Sequence, residues 1–290
     1  MSSVEISQGS IEYRAAGPAD STAPAVVFVH GLLVNNELWT GVADDLAERG
    51  IRSYAPQLPL GSHTVPLNAD ADRSPLGVAT LINEFLAALD LTDVTLVGND
   101  TGGALCQFVI DSDHSRIGRL VLTNCDAFDT FPPEPFHTLF KLARRPAGVR
   151  AMLTTIRPKL LRHSVLGFGG LVSTPLDKDL SRRWITPGLA DRGVRADVAA
   201  FIANIRPADL LDVSTRLHDF PKPVLLVWGS ADPFFTMEMA QRLQAAFTDA
   251  TLVKIDGGRT FVSLDHPHRV ADEVAAAFYP ASQGVTGAME

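Results

Sequence analysis

The chain has 290 residues, 46% of them hydrophobic and 20% charged, the composition of a globular protein with a large core. Its 25 Lys and Arg against 33 Asp and Glu leave a formal charge of −8, which gives no electrostatic support to a nucleic-acid or anionic-membrane partner; the densest basic stretch, Lys141 to Arg162, is broken by Leu, Ala and Pro and reads as solvated helix faces. Apolar runs reach only about six residues, short of the ~20 that span a bilayer, and the first residues lack the basic and apolar regions of a signal peptide, so a cytoplasmic protein is expected.

Val4–Ser7 and Ile11–Arg14 flank Gln8-Gly9-Ser10 and read as an antiparallel edge hairpin. From there, short β-branched runs alternate with amphipathic stretches. Strand Ala25–His30 precedes helix Leu38–Arg49, and strand Arg52–Ala55 precedes helix Pro75–Leu89, with Ser74 at its N-cap. Strand Val94–Gly98 leads into helix Gly103–Asp111, followed by strand Leu120–Asn124. Cys106 and Cys125 fall inside these core elements, as free thiols acting as small hydrophobes, without a disulfide.

Residues 127–218 contain no convincing buried strand and many prolines, and read as a helical lid inserted over the sheet's carboxyl edge. The alternation resumes with strand Val224–Trp228, helix Met237–Phe247 (N-cap Thr236), strand Thr251–Ile255 and helix Pro267–Phe278. The expected architecture is a mostly parallel sheet of about eight strands with helices on both faces, built from residues 1–126 and 219–280. The small, polar tail, 281–290, is expected to be disordered.

The most informative stretch is Val94-Thr-Leu-Val-Gly98-Asn99-Asp100-Thr101-Gly102-Gly103. Glycines on either side of Asp100 let a strand turn sharply into a helix, and that turn points the Asp100 side chain out above the sheet's carboxyl edge. N–H groups opening the helix favour negative charge there. Asp100-Thr101-Gly102 also spells the aspartic-protease tripeptide, but those enzymes are all-β and use two such loops. The Rossmann spacing G-x-G-x-x-G is absent. A plain helix cap by Asp100 leaves the flanking glycines unexplained.

This stretch resembles the nucleophile elbow of the α/β-hydrolase superfamily with Asp in the nucleophile position. His30-Gly31, the helical insertion and Trp228-Gly229-Ser230-Ala231-Asp232 follow the same pattern, most like the aspartate-nucleophile branch of haloalkane dehalogenases and epoxide hydrolases. The resemblance implies that Asp100 is the nucleophile, that the N–H groups of Leu32 and Thr101 form the oxyanion hole, and that Asp232 is the acid that orients a histidine. It also implies a departure. In Asp256-Gly-Gly-Arg-Thr260-Phe261-Val-Ser-Leu-Asp265-His266-Pro267, Phe261 and Asp265-His266-Pro267 fall into register, which puts Thr260 where the histidine belongs. Threonine is no base near neutral pH. His266 and His268 open a helix and read as surface residues; His63, on the loop after Arg52–Ala55, is the best substitute base.

The dehalogenase halide signals are missing too: Thr101 and Leu32 stand where a Trp and an Asn are usual. Asn35, Asn36, Trp39 and Trp184 are the candidates to compensate, and His30, Asn35, Trp39 and Trp184 are assigned to the substrate pocket. Phe131, Phe136, Phe140, Phe168 and Phe201 could line it from the insertion. Tyr13, Tyr54 and Tyr279 all lie outside the insertion, which argues against epoxide opening by lid tyrosines. Three activities fit: an Asp100 hydrolase acting on an apolar small molecule, a cofactor-free lyase, isomerase or cyclase, and a non-catalytic ligand-binding protein. No metal or organic cofactor is expected, since no H-E-x-x-H, C-x-x-C or phosphate-binding glycine loop occurs.

Overall fold

A computed structural model describes residues 1–279 of the chain; the tail expected to be disordered lies outside the described residues. Eight strands form one sheet in the order β1-β2-β4-β3-β5-β6-β7-β8. The hairpin is β1 (Ser2–Ile6) and β2 (Gly9–Ala16), antiparallel to each other, and β2 is also antiparallel to its other neighbour in the sheet. All other pairings are parallel, among β3 (Val26–Val29), β4 (Ser53–Pro56), β5 (Val94–Asp100), β6 (Ile117–Cys125), β7 (Val224–Gly229) and β8 (Ala250–Ile255).

The connecting helices are α1 (Thr40–Glu48), α2 (Pro75–Ala88) and α3 (Thr101–Ser112). Ser74 caps α2 as its sequence position implies, its hydroxyl accepting from Gly77 N–H across 3.0 Å. Between β6 and β7 the chain runs through helices only: α4 (Phe136–Phe140), α5 (Pro146–Thr155), α6 (Lys159–Arg162), α7 (Lys178–Ala190), α8 (Arg192–Asn204) and α9 (Pro207–Ser214). The chain then closes through α10 (Met237–Ala246), the single turn α11 (Val262–Asp265) and α12 (Pro267–Phe278), which packs on α1.

Strand β5 is central and fully buried from Val94 to Asn99, with each such Val or Leu side chain contributing roughly 1.5–3 kcal/mol. Strand β6 begins three residues before the apolar run suggests, because Arg119 can join the ladder while its guanidinium pairs with Asp93 at the sheet's rim across 3.2 Å. The carboxyl ends of β3, β5, β6 and β7, neighbours in the sheet, converge on one edge.

Candidate active site

At that edge β5 ends at Asp100 and α3 begins at Thr101, with no residue between them. Asp100 has φ 54° and ψ −133°, a conformation that costs an L residue on the order of 1–3 kcal/mol. The neighbouring glycines are steric necessities: a Cβ on Gly98 would stand 2.7 Å from Cys106 Sγ and 2.8 Å from Gly103 Cα, and one on Gly102 would collide with the backbone carbonyls of Val29 and His30. The Asp100 side chain makes no capping bond to α3, so helix capping does not account for it.

Leu32 N–H, from the loop after β3, donates to Asp100 Oδ2 across 3.3 Å. Burial pushes the Asp100 carboxyl up to about 7; the N–H groups of Thr101 and Leu32 pull against that shift, and the charge of Asp232 adds to it. One of the two backbone donors expected for an oxyanion hole, Leu32 N–H, is thus directed at the carboxylate itself.

Asp232, after β7, is buried and well bonded. Phe234 N–H donates to its Oδ1 across 2.8 Å and Phe235 N–H across 3.2 Å, while Asn124 Nδ2 and the Thr260 hydroxyl each donate to Oδ2 across 2.9 Å. Burial still leaves this carboxyl above its ordinary range.

A third carboxyl was not foreseen. Asp126, one residue beyond β6, is fully buried; its Oδ2 accepts from the Thr101 hydroxyl across 3.3 Å, and its Oδ1 has no protein partner. Burial, reinforced by the Asp100 charge, holds it well above the carboxylate range, which favours its protonated form. A usable signal was present: an acid directly after a buried strand, at the same edge as Asp100 and Asp232. The run Thr123-Asn-Cys-Asp126 instead reads as the seam before the insertion.

Among the described residues, Asp100 and Thr101 supply the only polar side chains of a cavity otherwise lined by apolar groups, including Phe136, Phe140, Met152, Ile156, Phe168 and Phe235. Three of the insertion aromatics expected there are present. Phe131 and Phe201 are buried packing residues instead.

The other assigned site residues lie elsewhere. His63 does not line the cavity: its Nε2 pairs with Asp197 Oδ2 on α8 across 3.1 Å and its Nδ1 accepts from Gly61 N–H, so both ring nitrogens are engaged. His30 is a buried structural imidazole, its Nδ1 donating to Gly31 O and its Nε2 accepting from Leu58 N–H, both across 2.9 Å; burial lowers its pKa to about 4 and keeps it neutral. Trp39 stacks on Phe28 with centroids 4.9 Å apart. Trp184 donates to Asn35 Oδ1 across 3.0 Å and packs edge-on behind the cavity residue Phe168, while Asn35 caps the short turn that follows it. None of His30, Asn35, Trp39 or Trp184 lines the cavity, a correction to their assignment as pocket residues: apolar bulk drew Trp39 and Trp184 into packing layers, and backbone partners fixed the polar two. His268 is exposed and pairs with Asp45 across 2.6 Å.

Residues 26–273 match the model of the family described as the alpha/beta hydrolase family. Among curated proteins, the chain is 26% identical to a haloalkane dehalogenase of Mesorhizobium japonicum, over 95% of this chain and 90% of that protein. It is 27% identical to a 2-hydroxy-6-oxononadienedioate/2-hydroxy-6-oxononatrienedioate hydrolase of Paraburkholderia xenovorans, over 83% of this chain and 81% of that protein. Among solved structures, the haloalkane dehalogenase DbeA loop variant from Bradyrhizobium elkanii superimposes with a TM-score of 0.75 at 19% identity, covering 96% of this chain and 95% of that one.

Proposed function

Because the chain belongs to the alpha/beta hydrolase family, we propose that it is a hydrolase in which the Asp100 carboxylate attacks an electrophilic carbon of a small, neutral, apolar molecule. The observation that carries this reading is the Leu32 N–H bond to Asp100 Oδ2. It pins one carboxylate oxygen and leaves the other free to attack from the polar end of an apolar cavity. Attack forms a C–O bond while the bond to the leaving group breaks, and the leaving group departs with the electron pair. The pinned oxygen becomes the ester carbonyl. When water adds to that carbonyl, the oxyanion forms where the N–H groups of Leu32 and Thr101 already point.

The proton traffic falls to Asp126. Protonated, it can reverse the contact with Thr101, donating to the Thr101 oxygen while the Thr101 hydroxyl passes its own proton to the leaving group. Esterification removes the Asp100 charge and with it part of what kept Asp126 neutral, so the Asp126 carboxylate can then accept a proton from the attacking water. The net reaction adds one water across the cleaved bond. The neutrality of the substrate follows from the clustering of Asp100, Asp126 and Asp232, which disfavours an anion in the cavity.

A proton-transfer reaction, with Asp100 as base and no ester, is the second reading; it is favoured by the absence of any histidine from the cavity lining among the described residues and by a carboxyl titrating near neutrality. Single turnover in ¹⁸O-labelled water, with 1-bromobutane and styrene oxide as probes, separates the two. Nucleophilic attack puts the label first into the Asp100 carboxyl, detected by peptide mass; turnover with no label in Asp100 overturns the ester and leaves the proton-transfer reading.

A further inference from the structure

Between Glu134 and Asp177 the sequence has no Asp or Glu, yet it carries Lys141, Arg144, Arg145, Arg150, Arg157, Lys159 and Arg162. Arg162 is buried, its guanidinium donating to Ser181 and to backbone carbonyls. The other six are exposed, and none forms an ion pair among the described residues. Elsewhere on the molecule exposed arginines are commonly matched, as in Arg49–Asp272, Arg183–Glu37 and Arg216–Asp111.

The same segment also exposes apolar bulk. Leu160 is 84% exposed, Leu142 74%, and Val165 and Leu166 each 70%, with Leu139 and Leu161 also on the surface. Leu139 and Leu166 line the Asp100 cavity as well as being exposed, so part of this apolar surface belongs to the cavity wall.

We propose that residues 136–166 form a docking surface for an anionic phospholipid bilayer, from which apolar molecules enter the cavity. Cations without carboxylate partners match the headgroup layer, and the exposed leucines match the boundary with the acyl chains. The association is peripheral: no helix among the described residues is long and apolar enough to cross a membrane. Overall charge concealed this surface, because a chain at −8 reads as repelled by anionic lipid although this one segment carries exposed cations and exposed leucines with no Asp or Glu among them. A second copy of the chain is a poor occupant, since a two-fold interface would set the six cations against themselves. The proposal is independent of which chemistry Asp100 performs.

Co-sedimentation of the full chain with phosphatidylglycerol-containing and pure phosphatidylcholine vesicles tests it. Binding to the anionic vesicles alone, weakening with added salt, is expected. The Arg144→Gln/Arg145→Gln/Lys159→Gln variant should lose on the order of a hundredfold in partitioning, at about fivefold per cation removed. Leu160→Ser/Val165→Ser should weaken binding while preserving the native melting transition and, since neither residue lines the cavity, turnover of a soluble substrate. No binding, equal binding to neutral vesicles, or binding unchanged in both variants overturns it. So does concentration-dependent self-association lost in Leu160→Ser/Val165→Ser, which would assign the surface to a second copy.

Discussion

The Thr260 hydroxyl donates to Asp232 Oδ2 across 2.9 Å, and the Thr260 carbonyl accepts from Asn99 Nδ2 across 2.6 Å, one residue before Asp100. A hydroxyl therefore occupies a bonding position on Asp232 that an imidazole could also take. Thr260→Val keeps the shape and deletes the donor, and the expected cost is about 1–3 kcal/mol, read as a lower urea midpoint with an unchanged slope. Thr260→His is the complementary variant. An imidazole paired with Asp232 would supply a base, so an Asp100 ester should hydrolyse faster; an ester lifetime equal to that of the parent chain counts against the pairing.

Asp100→Asn should remove activity by several orders of magnitude, up to the ~10⁶ seen when an essential nucleophile is deleted. Its effect on stability has the opposite sign. The folded carboxyl titrates at about 7 against an ordinary 3.8, so its contribution is fully favourable below about 4 and is lost as pH rises through about 7. The Asn variant should therefore gain most over the parent above pH 7 and little at acid pH, by denaturant midpoints measured across that range.

Attack requires the ionised form, so kcat/KM should rise with pH along a single limb near 7. Asp126→Asn should lower the plateau by on the order of 10²–10⁴, the usual range for acid–base assistance, and leave the limb in place, because the Asp100 shift is set by burial, by the Thr101 and Leu32 N–H groups and by Asp232. A limb displaced by a full unit, or an undiminished plateau, would remove Asp126 from the proton traffic.

His63→Gln should leave turnover within a few-fold of the parent chain, because His63 faces Asp197 and not the cavity. Asp197→Asn is the costly change. Asp197 accepts from His63, from Leu67 N–H across 2.9 Å and from Arg73 Nε across 2.6 Å. Burial works against its charge, but these donors outweigh it and hold the carboxyl below its ordinary range, so the stability it provides is present near neutrality and is lost on acidification. Removing the charge from this buried cluster should cost on the order of 3–5 kcal/mol in thermal or urea unfolding.

Much of the sheet could be read from the sequence because strands buried on both faces, such as β5 and β7, must be apolar throughout, and because Gly98 and Gly102 mark a turn that tolerates no Cβ. The tight turn at Asp100 and the helical run between β6 and β7 followed from the same local rules, whereas Leu32 as a nearby backbone donor was implied only by the family resemblance. The cavity wall was less legible. Trp184 and Phe168 are both large aromatics of the insertion, and only their packing order decides that Phe168 meets the cavity while Trp184 stands behind it. His63 could not be excluded from sequence, because the carboxylate that claims it lies 134 residues away. Asp126 escaped because a single acid after a strand is also an ordinary turn residue, and its partner Thr101 comes from another element.

The Asp197 cluster sets a condition on any attempt to exchange the region between β6 and β7 with that of another family member. The acceptor travels with the replaced segment, on α8, whereas His63, Leu67 and Arg73 stay with the core. A graft lacking an acid at that point would strand three donors against apolar surroundings, at roughly 1–3 kcal/mol for each one that stays buried and unpaired. Chimeras should therefore be cut so that residues 61–73 move together with the insertion, or so that the incoming segment keeps an Asp facing that loop.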